Sequence, residues 1–358
     1  MKIVCSLLIY LPLLLCGSGF LAASETDAEA AWDKINQSVI RFYNEGQYAE
    51  AAAAAEKALE FARENLPPNH GYTAISLSNL GEMYRILSRF EESQTLFLKA
   101  LTMRKMLYGD DHPEVANTLN NLALLYHNIA EYEKAEKHYL QAIKINESHY
   151  GTEHPRTADS INNLAGVYRK MRRYAEAASM FYESLRIREE TLGPDHPDVA
   201  QSYNNIAGLL REQEEFEESA KMYKKAVAIW ENALGERHPG IAAGLSNLAL
   251  TYSALERYDE AEALHLRALS IREEVFGAEH PETAQTMNNL ASVYYALEDY
   301  ERAEPLYTKA LAIRRQWYPE GHPHLQNSLR NLAALYLATG REEKAKALLQ
   351  LADEAEQN

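Results

Sequence analysis

Seven histidines stand 42 residues apart, at His70, His112, His154, His196, His238, His280 and His322, and each after the first is followed by proline. Imidazoles at regular spacing are raw material for metal coordination and proton transfer, so this series is the first candidate for chemistry. A zinc site needs its ligands within about 2.0–2.3 Å of one ion. Equivalent positions in stacked repeats stand about 10 Å apart or more, because packed helices are separated by about 8–10 Å. The histidines therefore read as residues of a loop or helix start that recurs with the repeat, and no metal site is expected. Catalytic patterns are missing: there is no phosphate-cradling glycine loop, no His-Glu-x-x-His, no Gly-x-Ser-x-Gly and no isolated nucleophile. Pairs such as Glu189-Glu190 and Glu273-Glu274 recur late in the repeat and read as solvated faces. No catalytic residue and no cofactor is expected.

A second series keeps the same period: Asn79, Asn121, Asn163, Asn205, Asn247, Asn289 and Asn331. An amide can satisfy polar groups between neighbouring helices, so this ladder reads as bracing. The residue just before it varies, through Ser78, Asn120, Asn162, Asn204, Ser246, Asn288 and Arg330. Seven positions on, two helical turns along the same face, come Arg85, His127, Arg169, Arg211, Ser253, Tyr295 and Leu337. These are either a ligand-reading surface or a solvated helix face of ordinary charge.

The elements that carry these series are helices. Ala158, Ile161, Leu164, Ala165 and Tyr168 trace one helical face, and Tyr174, Ala177, Phe181 and Leu185 trace a second, with Arg172-Arg173 as a polar break between them. Nothing alternates with period two over a useful length, which excludes β-propeller repeats. Gly109, Gly151, Gly193, Gly235 and Gly277 sit where a helix end needs a left-handed residue. Pro113, Pro155, Pro197, Pro239, Pro281 and Pro323 sit at the first helical position, where no N–H is needed. Each period is thus helix, tight turn, helix, capped loop; eight such repeats predict sixteen helices.

Leu119, Leu122, Ala123, Tyr126, Tyr132, Ala135, Tyr139 and Ala142 fall in the order of the tetratricopeptide signature, which this chain resembles from about Ala31 to Ala352. The 42-residue form, with Asn-Asn-Leu-Ala and Gly-x-x-His-Pro, is similar to the repeats of kinesin light chains and their bacterial relatives. The resemblance implies an all-α, right-handed superhelical solenoid of about eight helix-turn-helix repeats, each packed on its neighbours only. It also implies that the first-helix positions line a concave groove. The predicted groove residues are Arg85, Asn120, His127, Asn162, Arg169, Asn204, Arg211, Asn288, Tyr295 and Arg330, basic and amide-rich in the first half and more apolar in the second. An acidic, extended peptide or partner protein is the expected ligand: guanidinium groups would meet carboxylates and amides would meet main chain. The ends depart from the pattern, as terminal repeats should: Val39 replaces a small residue, Ala55 and Leu349 replace aromatics, and Glu354 and Glu356 close the chain.

A formal net charge of −16 over 358 residues argues against nucleic acid as a partner. Both cysteines, Cys5 and Cys16, lie in the first sixteen residues, so the repeats are held by packing without disulfides. Lys2, the apolar run from Ile3 to Leu15 and the small residues Gly17 to Ser24 read as an export signal over residues 1–24, with cleavage after Ala23 or Ser24. A lipid on Cys16 or a retained anchor are the alternatives, and either would tether the chain to a membrane as an accessory subunit of an envelope assembly. The expected organisation is then signal 1–24, repeat solenoid 25–353 with a divergent first repeat at about 31–66, and tail 354–358, in a periplasmic or secreted protein. With an export signal where kinesin light chains carry a coiled coil, motor–cargo function is not expected.

Overall fold

The computed structural model describes residues 27–354, and among them every element is a helix. The signal, with Cys5 and Cys16, and residues 355–358 of the tail lie outside the described residues, while Glu354 closes the last helix. The chain divides into two compact units, residues 1–192 and 193–358. The first holds α1 (Asp27–Asn44), α2 (Tyr48–Asn65), α3 (Gly71–Ile86), α4 (Phe90–Tyr108), α5 (Pro113–Asn128), α6 (Tyr132–Tyr150), α7 (Pro155–Lys170) and α8 (Tyr174–Leu192). The second holds α9 (Pro197–Glu212), α10 (Phe216–Leu234), α11 (Pro239–Ala254), α12 (Tyr258–Phe276), α13 (Pro281–Ala296), α14 (Tyr300–Trp317), α15 (Pro323–Ala338) and α16 (Glu342–Glu354). Among the described residues no helix is long and apolar enough to cross a membrane.

Consecutive helices pack as hairpins, and within each unit every first helix also touches the next first helix: α1, α3, α5 and α7 in one, α9, α11, α13 and α15 in the other. Within each unit the second helices touch only the first helix of their own hairpin and of the next. First helices are thus the closely spaced row of each unit. Small residues allow that spacing, since Ala116, Ala123, Ala158, Ala165, Ala200, Ala207, Ala242 and Ala249 are fully buried. The faces read from the sequence are the buried ones: Ala158, Ile161, Leu164, Ala165 and Tyr168 on α7, and Ala177, Phe181 and Leu185 on α8.

Two local expectations are refined. The tight turn inside six of the eight hairpins is made left-handed by non-glycine residues, Ser88, Ala130, Arg172, Glu214, Glu256 and Glu298, at φ 59–63°, while Gly46 and Gly340 take that position in the first and last hairpins at φ 72°. The glycines that end the second helices are not left-handed helical: Gly109, Gly151, Gly235 and Gly277 pair φ of 79–94° with ψ of 155–169°. That region is essentially closed to a residue with a Cβ, so glycine is more strictly required there than in a left-handed helical turn. The first hairpin starts at Asp27, four residues before Ala31, with Asp27 and Glu29 in its first turn where the helix dipole favours anions.

The first repeat's departures are compensating. Val39 and Ala55 are both buried against each other's neighbours, at 1 % and 0 % exposure. One repeat on, Gly81 faces Phe97, and a Cβ on Gly81 would stand 3.0 Å from that ring. A large residue on one helix is matched by a small one opposite, in either order, which keeps the packed volume nearly constant.

Candidate functional site

The histidine series is a set of helix caps. At every one of the seven first helices α3 to α15, histidine Nδ1 accepts the backbone N–H two residues on, at 3.1–3.2 Å. One of the N–H groups left over at a helix start is thereby satisfied. The chemistry excludes these rings as ordinary metal ligands: a neutral imidazole whose Nδ1 lone pair faces an N–H carries its proton on Nε2, so neither nitrogen has a lone pair to give. Aromatic rings four residues earlier stack on several caps, as in Tyr108–His112, Tyr150–His154, Phe276–His280 and Tyr318–His322, with centroids 3.9–4.8 Å apart.

Three members of the asparagine ladder, Asn79, Asn247 and Asn331, brace neighbouring first helices, and the partner of each is a side chain and not backbone. Asn79 Nδ2 donates to Asn36 Oδ1 at 2.8 Å, Asn247 to Asn204 at 3.2 Å, and Asn331 to Asn288 at 3.2 Å. Each acceptor is the residue before the ladder in the preceding repeat. Asn36 belongs to that series by its spacing of 42 from Ser78, and the sequence reading passed over it because the first repeat is otherwise divergent. Asn120 is bound as well, donating to Ser160 Oγ at 3.0 Å. Asn162 and Asn288 are only 5 % and 6 % exposed, so they border the surface more than they stand on it.

In the first unit, α3, α5 and α7 bring Arg85, His127 and Arg169 together, with Lys170 beside them. Burial, reinforced by Lys170, Arg169 and Arg85, holds the His127 imidazole down at about 4, so it is neutral at pH 7. Arg85 is paired with the carboxylate of Glu82, which is 2 % exposed; its Nε bonds Oε2 at 2.8 Å. With the Asn128 amide turned to suit, its oxygen accepts from Arg85 Nη1 at 2.6 Å. Arg169 is 4 % exposed and Lys170 is exposed. The last two turns of α3, α5 and α7, residues 79–86, 121–128 and 163–170, carry three cations, Arg85, Arg169 and Lys170, against one carboxylate, Glu82. Lys170 and Glu82 were missed in the sequence; the signal for Lys170 was its adjacency to Arg169.

In the second unit, Arg211 is partly buried and Asn204 holds Asn247. Tyr295 lies edge-on to Tyr300, centroids 5.7 Å apart, against the apolar core. Leu337 is 52 % exposed, and the exposed Arg330 stands 3.8 Å from Asp353 on the last helix. The last two turns of α11, α13 and α15, residues 247–254, 289–296 and 331–338, contain no charged side chain.

A further inter-repeat contact escaped the sequence reading. Arg104, Arg272 and Arg314 are 1–6 % exposed, and each donates from Nη1 to a carbonyl ten residues on and a hydroxyl fourteen residues on: Glu114 O and Thr118, Glu282 O and Thr286, His324 O and Ser328. Asn146 does the same with Arg156 O and Ser160, both at 3.2 Å. Trp230 takes this register where the hydroxyl position is Gly244, whose added Cβ would meet Val227 Cγ2 at 2.9 Å and the indole at 3.0 Å. The signal was present as an arginine followed at fourteen by Ser or Thr, but it is masked by the charged residues around it.

A family model of the tetratricopeptide repeat matches residues 39–106, 72–148, 130–190, 156–232, 198–274 and 240–316. No curated protein matches the chain. The crystal structure of BtubC (BKLC) from P. vanneervenii is similar at 24 % identity, over 64 % of this chain and 90 % of that one, with a TM-score of 0.53. A kinesin light chain protein of nearly identical TPR-like repeats from Podospora anserina is 26 % identical over 57 % of this chain and 97 % of that one, TM-score 0.50. A Rap protein complexed with Competence and Sporulation Factor shares the fold at 15 % identity, over 92 % and 98 %, TM-score 0.58. With helical hairpins throughout the described residues and the family matched from residue 39 to residue 316, this chain belongs to the tetratricopeptide repeat family, with repeats resembling those of kinesin light chains.

Proposed function

We propose that the row of first helices in each unit holds an extended peptide segment of a partner protein, and that the chain works as a scaffold and not as an enzyme. One observation carries this reading: within a chain of net charge −16, the last two turns of α3, α5 and α7 gather three cations against one carboxylate, while the last two turns of α11, α13 and α15 are free of charge. The first stretch suits acidic ligand side chains, which Lys170 and the Arg85 and Arg169 guanidinium groups would meet by charge-assisted hydrogen bonds. The second suits apolar side chains around Tyr295 and Leu337. Asn204 and Asn288 have their oxygens committed to the ladder, so they offer Nδ2 donors to ligand carbonyls, which read main chain without demanding sequence. A Rap protein crystallised with a bound factor supports the view that a row of such hairpins accommodates a guest.

The test is binding of an extended Asp/Glu-rich peptide with one aromatic residue to residues 25–358. Arg169→Gln with Lys170→Gln should weaken it about tenfold or more, the difference shrinking as salt rises. Lys170→Gln alone, at an exposed position, should show part of that loss, and circular dichroism should show unchanged helix in both. Equal affinity of the double variant and the wild type sinks the proposal.

Export to the periplasm or medium is part of this proposal and rests on Lys2, the apolar run and the small residues up to Ser24. The mass of the mature N-terminus decides between cleavage, a lipid on Cys16 and a retained anchor.

A further inference from the structure

The sequence holds two asparagine-glycosylation acceptor triplets, Asn36-Gln37-Ser38 and Asn146-Glu147-Ser148. Such triplets, when used, lie on accessible surface, because a bulky oligosaccharide must project into solvent. Neither does here. Asn36 lies within α1, is 5 % exposed, and its Oδ1 takes the hydrogen bond from Asn79 that ties α1 to α3. Asn146 lies within α6 and is 1 % exposed; its Nδ2 donates to Arg156 O and to Ser160 Oγ of α7.

Transfer of an oligosaccharide from a lipid diphosphate would form a bond from the sugar C1 to Nδ2, with the diphosphate leaving and one amide proton lost. At Asn146 both Nδ2 hydrogens are committed across the α6–α7 junction, so the transfer breaks at least one of those bonds. It also places a sugar ring where the protein leaves no room. At Asn36 the glycan would wedge between the first two helices of the row. Both are positions where a buried group losing its partner, with added volume, opens a packed junction.

We infer that glycosylation of Asn36 or Asn146 is incompatible with this fold, and that the chain's export route meets no oligosaccharyltransferase before folding. This rests on the export reading and narrows it: of the compartments a signal of this kind can reach, the endoplasmic reticulum lumen is closed to a folded product.

The full chain is placed behind a cleavable eukaryotic signal and translated with microsomes, so that entry into the lumen does not depend on residues 1–24. The wild type should gain endoglycosidase-removable mass, and the glycosylated chains should be cut by protease about tenfold faster than a Ser38→Ala/Ser148→Ala variant, which keeps both asparagines. Ser148 is exposed and Ser38 only partly buried, so those changes spare the fold. Glycosylated chains as resistant as the variant would overturn the incompatibility. Lumenal wild type that is glycan-free and resistant would overturn the inference about the route. Whether residues 1–24 direct export at all is read separately, from fractionation and N-terminal mass in bacterial cells, so the two readings fail by different results.

Discussion

His265 occupies the slot of the second helix where other repeats place Phe97, Tyr139, Phe181, Tyr223 and Tyr307, and it is fully buried. Burial, with Arg272 nearby, pushes its pKa down from 6.5 to about 4. The native state therefore keeps the ring neutral while the unfolded chain takes up a proton below 6.5. The sign follows: stability is full above about pH 6.5 and is lost as pH falls from there toward 4. At 1.36 kcal/mol per pKa unit the loss at this site approaches about 3 kcal/mol. Thermal melts between pH 4 and 7 should show a smaller acid loss for His265→Phe than for the wild type; parallel melting curves would contradict this account. The slot's place in the repeat was legible from the pattern of spacing, but its demand for neutrality was not, because only packing removes water from the ring.

Turns and caps carry the argument at the level of the helical hairpin. Gly151, at φ 94° and ψ 166°, has nothing within 4 Å of where a Cβ would stand, so Gly151→Ala tests backbone conformation alone. It should cost about 1–3 kcal/mol in chemical denaturation. Glu256 is the reverse case, a side-chain-bearing residue held at φ 59° in the α11–α12 turn. Glu256→Gly should stabilise by about 1 kcal/mol, less the entropy glycine adds to the unfolded chain. The glycine series could be seen in the sequence because glycine is the only residue that tolerates its conformation. The other series was invisible, since Ser88, Ala130, Arg172 and Glu214 share no side-chain property, only a turn geometry imposed by the two helices they join.

At the scale of the whole molecule, within each unit a hairpin leans on its neighbours in sequence, so stability within each unit is a sum over junctions. One junction departs from its equivalents in using Trp230 over Gly244 in place of arginine over a hydroxyl. Gly244→Thr alone should cost about 1–3 kcal/mol by overpacking Val227 and the indole. Adding Trp230→Arg rebuilds the contact seen at Arg272–Thr286 and should recover part of that loss, the approach to Val227 remaining; purely additive losses would show the two positions to be uncoupled. Hydrogen exchange in the single variant should quicken in α10 to α12 and fade toward α16.

The sequence by itself determined the helical hairpin, its period, its caps and the residues that face inward, because each is set by local backbone preference and by apolar spacing repeated seven times over. It also singled out the candidate surface positions. Only the tertiary structure decided what these positions contact: the side-chain oxygens of Asn204 and Asn288 take the amide of the next repeat, Arg85 pairs with Glu82, and the charge excess at the ends of α3, α5 and α7 includes Lys170. Partners 43 residues apart, or on separate helices, leave no mark on local spacing. Their pairing depends on how closely the first helices approach, which the packing of small residues between hairpins sets.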